Sequence, residues 1–322
     1  MDIDRAGMRI GIDIGVHSVS GGLFFFPTGI NSFGMDNKPE IIRRLGETYA
    51  QNRSPEGVIS IITGMVGNLA RNYDVKSVGI SLPGIIDAER AHSVEMVNFS
   101  PDWDNFNLGN AARISLFKHE IDVPVDVEND ANCYALGEGA AGHAQEVKNY
   151  VVITLRTGIG CGIIVNGRLL LGSHGMAGES GHIVTGGDKP CRCGGKGHPE
   201  TIAGAGEISG RAALKRLPEN FAALWEMRES AEAREILDES VDAISRMTAS
   251  IAHILDPEMI IFGGGISLTK GFIESVREHI KPYLSHPFKK FMDYRVSNLG
   301  FDAPLYGAAS LWRYGRNSKK NN

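Results

Sequence analysis

Cysteine is scarce in this chain: there are four among 322 residues, and Cys133 and Cys161 lie far from any other thiol, in apolar, glycine-rich surroundings. That spacing excludes a disulfide framework and marks the two as reduced core residues. A positive excess is missing as well. The formal charge is −5, the isoelectric point is near 6.1, and no Lys/Arg cluster is dense enough to make a local basic field. Nucleic acid is therefore not an expected partner. Nothing approaches the roughly 20 consecutive apolar residues of a membrane span, and the N-terminus does not pair a basic region with a long apolar run. The expectation is a cytoplasmic protein without membrane attachment. No Pro/Ser-rich linker divides the chain.

What the chain has is glycine, 40 residues of it, against a hydrophobic content of 42% that can fill a core large enough for two lobes. So much glycine implies tight turns and close approach of backbone to a ligand. Residues 8–26, MRIGIDIGVHSVSGGLFFF, read as strand, tight turn, strand, and residues 149–167, NYVVITLRTGIGCGIIVNG, repeat that grammar. Two such openings separated by helical stretches predict a duplicated α/β core with a cleft between its lobes. Residues 54–72 have the spacing of an amphipathic helix, 75–81 and 125–128 read as strands, and 207–255 are helical until Asp256 and Pro257 stop them. A buried strand at 259–262 and a terminal helix over 305–314 come next, then a Lys- and Asn-rich tail predicted to be disordered. The lobes are placed at 1–120, completed by a C-terminal helix over 304–316, and at 121–303.

Residues 181–200, GHIVTGGDKPCRCGGKGHPE, put His182, Cys191, Cys193 and His198 in one short loop. Two thiols and two imidazoles are the donor set that tetrahedral structural Zn²⁺ prefers, and the glycines let such a loop close. The alternative is a glycine-rich turn with two idle cysteines. Glycine turns after buried strands also let backbone N–H groups converge on an anion. Three occur here, Asp13-Ile14-Gly15, Thr157-Gly158-Ile159-Gly160 and Gly263-Gly264-Gly265, and together they favour a bound nucleotide. Asp130, in ENDAN, is a helix cap or a general base. With Asn129 beside it, it has the chemistry to orient a hydroxyl and take its proton. Glu179 and Glu200 flank the metal loop, where an ion would fix both carboxylates toward a common pocket suited to sugar hydroxyls; the alternative is ordinary solvated surface.

Assembled, these residues resemble the ROK family of bacterial sugar kinases and sugar-responsive repressors, over about residues 8–312. GESGHI with CRCGGKGHPE is similar to the family's glutamate, histidine and zinc-loop signature. ENDAN resembles the segment holding its catalytic aspartate, IFGGG its adenosine-side loop, SLPGIID its sugar-side turn and NFSPDW its asparagine and tryptophan segment. The resemblance implies a two-lobed, actin-like and hexokinase-like (ribonuclease H-like) duplicated α/β fold with a zinc loop. It implies that Asp130 takes the proton of a sugar's 6-hydroxyl, that Asn98, Asn129, Glu179, His182 and Glu200 bind the sugar, and that His182 also binds zinc. Asp13 and Gly15 would position Mg²⁺ and phosphates, with Thr157, Gly158, Gly160, Gly264 and Gly265 bordering ATP. A homodimer or dimer of dimers is also implied.

Three departures from the family pattern stand out. Val16 and His17 occupy the places of a second glycine and a threonine, with Ser18 able to supply the missing hydroxyl only if the turn shifts by one residue. Arg156 stands where glycine is usual, either clamping phosphate or crowding the loop. His198 replaces a third zinc cysteine. The implied activity is ATP- and Mg²⁺-dependent phosphorylation of a free hexose or N-acylhexosamine of glucose, allose, N-acetylglucosamine or N-acetylmannosamine type. The alternative is a sugar-binding regulatory protein with impaired phosphoryl transfer. A DNA-binding repressor is not expected, because the family's repressors carry an N-terminal helix-turn-helix segment and the first core strand here begins by about Met8.

Overall fold

A computed structural model describes residues 7–27, 38–49, 53–87, 92–96 and 99–314 of the chain. Asn98 and the tail after 314 lie outside the described residues. The chain forms two compact units. One runs to Glu146 and takes in Leu169–Ala177 and the described residues from Asp302, and the other comprises Val147–Arg168 and Gly178–Phe301.

The first unit opens with β1 (Gly7–Ile14), β2 (Ser18–Phe26) and β3 (Glu40–Thr48), continues through α1 (Pro55–Ala70), β4 (Val75–Leu82) and the short β5 (Ile85–Ile86) and β6 (Ser93–Glu95), and reaches α2 (Leu108–Lys118), β7 (Val125–Asn129) and α3 (Asp130–Ala141). Its sheet runs β3-β2-β1-β4-β7, with β1 antiparallel to β2, β2 to β3, and the β1/β4 and β4/β7 pairs parallel. The helix expected over 54–72 is α1. Ser54 accepts the Gly57 N–H, Pro55 starts the first turn, and Val58, Ile62, Met65, Val66 and Leu69 line its buried stripe. β7 adds to the sheet beside β4, which carries the chain past residue 120 inside this unit. The boundary therefore falls at Glu146, not near 120, because parallel pairing with β4 outweighs the nearness of β7 in sequence to the second unit.

The second unit repeats the pattern: β8 (Tyr150–Leu155), β9 (Ile159–Val165), β10 (Arg168–Leu169), α4 (Glu200–Ala203), α5 (Ala205–Leu214), α6 (Phe221–Glu226), α7 (Ala231–Leu255), β11 (Met259–Gly263), α8 (Phe272–His279), α9 (Phe288–Phe291) and β12 (Tyr294–Val296). The sheet order is β10-β9-β8-β11-β12, with β8/β9 antiparallel and β8/β11 and β11/β12 parallel. Every residue of β8 is buried, as a strand covered on both faces requires. The helical stretch at 207–255 is three helices, the last of them α7, capped by Ser230 and ended by Asp256 in the left-handed region at φ 44°. Two sheets of like order and like strand direction are the duplication expected from the two glycine hairpins.

The chain then returns to the first unit with α10 (Ala303–Ala309), followed by a 3-10 turn over Leu311–Arg313. Alternation along β1 sends Ile10 and Ile12 into the core shared with α1 and turns Gly11 to α10. A Cβ added at Gly11 would lie 2.2 Å from the Leu305 carbonyl oxygen, and one at Gly79 1.8 Å from that of Ala308. At Gly137 and Gly307 the same test meets the carbonyls of Ala303 and Cys133 at 2.0 and 1.8 Å. α10 thus sits backbone against backbone on β1, β4 and α3. No helix among the described residues is long and apolar enough to cross a membrane.

Gly307→Ala is expected to destabilise the protein by about 3 kcal/mol, because carbonyl backbone has nowhere to move. Gly64→Ala, in α1 with nothing within 4 Å of the new methyl, should stabilise it by about 0.4–1 kcal/mol. Denaturant unfolding of the two variants checks both signs.

Candidate functional site

In the first unit, Asp13 comes to the carboxyl end of β1 and is buried, with Oδ1 accepting a 2.7 Å bond from the Ser81 hydroxyl. Parallel register places Ser81 directly beside Asp13 on β4. Gly15 begins the hairpin loop, where its N–H donates to the Ser18 carbonyl at 2.8 Å. Val16 and His17 fill that loop without left-handed backbone, so a β-branched residue is accommodated without strain.

At the end of β7 the buried Glu128 Oε1 accepts from the Asn129 N–H and from Asn132 Nδ2, both at 3.0 Å. Asn129 Oδ1 accepts the Asn132 N–H at 3.1 Å, and its Nδ2 donates to the Gly84 carbonyl at 2.8 Å. The N-cap of α3 is therefore Asn129 and not Asp130. These bonds use one of the two Asn129 Nδ2 hydrogens. Asp130, half-buried on the first helical turn, has Oδ1 on the Ala131 N–H at 2.9 Å. One turn on, burial raises the Cys133 thiol well above the ordinary range, and the charges of Glu128, Asp13 and Asp130 add to the rise. Burial pushes Cys161 up to about 12. Both are free, protonated thiols.

In the second unit, the loop joining β8 to β9 carries Arg156, Thr157 and Gly158. The Arg156 and Thr157 carbonyls accept the N–H groups of Ala205 and Gly206 at 3.0 and 3.2 Å, docking the loop on the start of α5. Glu200 Oε2 accepts the Ile159 N–H at 2.8 Å, and a Cβ at Gly158 would lie 2.4 Å from that same oxygen. Gly160 lies in β9 opposite Thr154. Gly264, at φ +86°, passes so close to the loop that a Cβ there would lie 2.4 Å from the Leu155 carbonyl and 2.9 Å from Arg156 Cγ. Gly265 faces the Phe301 ring, 3.8 Å from where its Cβ would be. Thr157, Gly158, Glu200 and Gly264 are thus brought together around Arg156.

The loop at 182–198 gathers its four side chains. One donor atom from each of His182, Cys191, Cys193 and His198 lies within 4.8 Å of the others, with Cys191 Sγ 3.7 Å from His182 Nδ1 and Cys193 Sγ 3.4 Å from His198 Nδ1. Tetrahedral bonds of about 2.0–2.3 Å give ligand edges of about 3.3–3.8 Å, so the donor set and its spacing fit Zn²⁺. The turn is built by Cys191 N–H on the Gly195 carbonyl and Gly194 N–H on the Cys191 carbonyl, with Gly194 and Gly197 in left-handed backbone. Lys189 pins the loop by donating to Glu207 and to the Thr201 carbonyl. The other nitrogen of His182 faces away from Cys191, 3.9 Å from Glu179 Oε2 and 4.0 Å from Glu200 Oε1. One imidazole thus faces the Cys/His donor cluster on one edge and a pair of carboxylates on the other.

A sequence model of the ROK family matches residues 9–314. The chain belongs to the ROK family. It is 31% identical to a glucokinase of Thermotoga maritima, over 94% of this chain and 96% of that protein, and 29% identical to an N-acetylmannosamine kinase of Escherichia coli over 70% and 75%. Its fold matches the crystal structure of a ROK family glucokinase from Streptomyces griseus in complex with glucose and AMPPNP, with a TM-score of 0.77, 27% identity and coverage of 96% and 100%.

Within this ROK chain, sequence reading missed Ser81, Glu128 and Asn132, which hold Asp13 and Asn129 in place. Only ENDAN itself carried a signal for two of them, a carboxylate and an amide flanking Asn129 and Asp130. Gly158→Ala is expected to push the Glu200 carboxylate off the Ile159 amide and to cost about 1–2 kcal/mol, to be read by denaturant unfolding against wild type.

Proposed function

We propose that this ROK protein is an ATP- and Mg²⁺-dependent sugar kinase that phosphorylates the 6-hydroxyl of a free hexose or N-acylhexosamine, of glucose, allose, N-acetylglucosamine or N-acetylmannosamine type. The observation that carries the proposal is Asp130. It is a half-buried carboxylate on the first turn of α3, where the N-cap is Asn129 and Asp130 Oδ1 accepts the Ala131 N–H. Relatives named as glucokinase and N-acetylmannosamine kinase support the same class.

In this mechanism Asp130 orients the acceptor hydroxyl and takes its proton as the oxygen attacks, a role worth about 10²–10⁴-fold in rate. Glu179, His182 and Glu200 accept from and donate to the other sugar hydroxyls, with Asn98 and the remaining Asn129 hydrogen as further contacts. Asp13 and the glycine turns at Gly15, Thr157, Gly158, Gly160, Gly264 and Gly265 receive the donor. ATP bound there would supply the γ-phosphoryl group, and Mg²⁺ held near Asp13 would offset the charge on its phosphates. Zn²⁺ held by His182, Cys191, Cys193 and His198 would fix the His182 ring, so that its other nitrogen keeps one direction toward Glu179 and Glu200.

ADP release with Mg-ATP against a panel of free hexoses and N-acetylhexosamines is expected to respond to one sugar, and Asp130→Asn should lower kcat at least about 100-fold while sugar affinity stays within a few-fold. Turnover by Asp130→Asn close to wild type would remove Asp130 as the base. Silence of the wild type across the panel, with sugar binding seen by calorimetry, would favour the regulatory alternative. Cys191→Ser and Cys193→Ser should each lose zinc, measured by elemental analysis, and melt at lower temperature, because metal binding energy is part of folding energy. Full occupancy with unchanged melting would exclude a structural zinc site.

A further inference from the structure

The β1–β2 loop is held by three donors. The Tyr49 hydroxyl donates to the Gly15 carbonyl at 3.0 Å, Arg53 donates to the Val16 carbonyl at 3.1 Å, and the Tyr49 N–H donates to the His17 carbonyl at 3.2 Å. In a trans peptide unit the C=O and the following N–H point in opposite directions. Within each of these three units the N–H of Val16, His17 or Ser18 is therefore directed opposite to the carbonyl that Tyr49 or Arg53 holds. The carbonyl oxygens, which would repel a phosphate, are drawn back and neutralised.

The clamp is itself anchored. The Trp103 indole N–H donates to the Arg53 carbonyl at 2.8 Å, and Trp103 is fully buried. The Tyr49 ring meets Phe99 edge-on at 6.4 Å between centroids, and Phe99 meets Trp103 at 5.5 Å. Burial, and next the charge of Asp13, raise the Tyr49 phenol far above its ordinary range, so it remains a donor at any working pH.

We propose that Tyr49 and Arg53 are positioning residues for the phosphoryl donor: they fix the Gly15–Ser18 hairpin with its N–H groups presented to phosphate, in place of the second glycine and the threonine that Val16 and His17 replace. This rests on the kinase proposal above. Neither residue touches the reacting atoms. Each acts through the loop, so its loss should weaken donor binding without a matching loss of acceptor binding.

Calorimetry with Mg-AMPPNP on wild type, Tyr49→Phe, Arg53→Met and Arg53→Lys, with glucose and N-acetylmannosamine titrated in parallel and melting temperatures recorded, tests this. The Kd for Mg-AMPPNP should rise about tenfold in Tyr49→Phe and in Arg53→Met, from loss of one hydrogen bond each. Arg53→Lys should recover part of the loss, and affinity for whichever sugar binds should stay within about twofold. Wild-type binding with unchanged AMPPNP affinity in both variants overturns the positioning role. So does a parallel loss of sugar and nucleotide affinity with lowered melting, which is the mark of a merely structural contact. Wild type that binds sugar but no AMPPNP overturns the donor reading, and this inference with it.

Discussion

The first unit depends on close backbone contact at four glycines. Gly11, Gly79, Gly137 and Gly307 are the places where α10 touches β1, β4 and α3, and at each a single methyl would reach within 2.2 Å of a carbonyl oxygen. Such contact leaves no room for either helix to slide, since carbonyl backbone cannot rotate out of the way as a side chain can. α3 begins at Asp130. The position of the proposed base is therefore set, along the same helix, by residues that have no side chain at all. Glu128 and Asn129 complete the arrangement by consuming amides at the helix start, so that capping does not fall to Asp130.

In the second unit a comparable constraint runs through Glu200. It comes two residues after His198, and its Oε2 holds the Ile159 amide just after the β8–β9 loop. The Cys/His loop, the carboxylate and the glycine loop are thus one mechanical piece. Lys189 adds a second tie, from the loop to Glu207 on α5, and α5 in turn receives the Arg156 and Thr157 carbonyls. Removing the Cys and His donors would loosen more than the loop that contains them, because each neighbour is held by the next through polar contacts.

What could be read in the sequence was what lies close together along the chain. The β1–β2 and β8–β9 hairpins, the stripe of α1 and the donors at 182–198 each sit within one short window, where alternation, helical spacing or ligand spacing is visible. β3 was not visible. Its sequence, EIIRRLGET, spends most of its length on an exposed sheet edge, where Arg43, Arg44 and Glu47 break up any apolar signal. The boundary was misplaced because β7 is a five-residue strand whose partner residues on β4 lie 47 positions earlier, from Val78↔Val125 to Leu82↔Asn129, and pairing of that kind leaves no local trace. Ser81 beside Asp13 has the same cause. The choice between Asn129 and Asp130 as cap could not be made locally either, since both side chains cap well. The tertiary bond from Asn129 to Gly84 decides it.

The departures from the ROK pattern look different once the backbone is known. A glycine is indispensable only where φ is positive or a Cβ would collide, and Val16 and His17 meet neither condition that the structure shows: they have ordinary backbone in a loop whose carbonyls are already claimed. The loop can lose its second glycine because its shape is imposed from outside, by Tyr49 and Arg53. Arg156 obeys the same logic from the opposite direction. Its aliphatic stem runs to where a side chain on Gly264 would be, so the bare backbone of the third glycine turn is what makes room for an arginine in the second. Crowding of the loop by that stem is thereby relieved by a residue more than one hundred positions away. The substitutions at Val16, His17 and Arg156 that looked damaging one at a time are each matched by a neighbour that only the fold reveals.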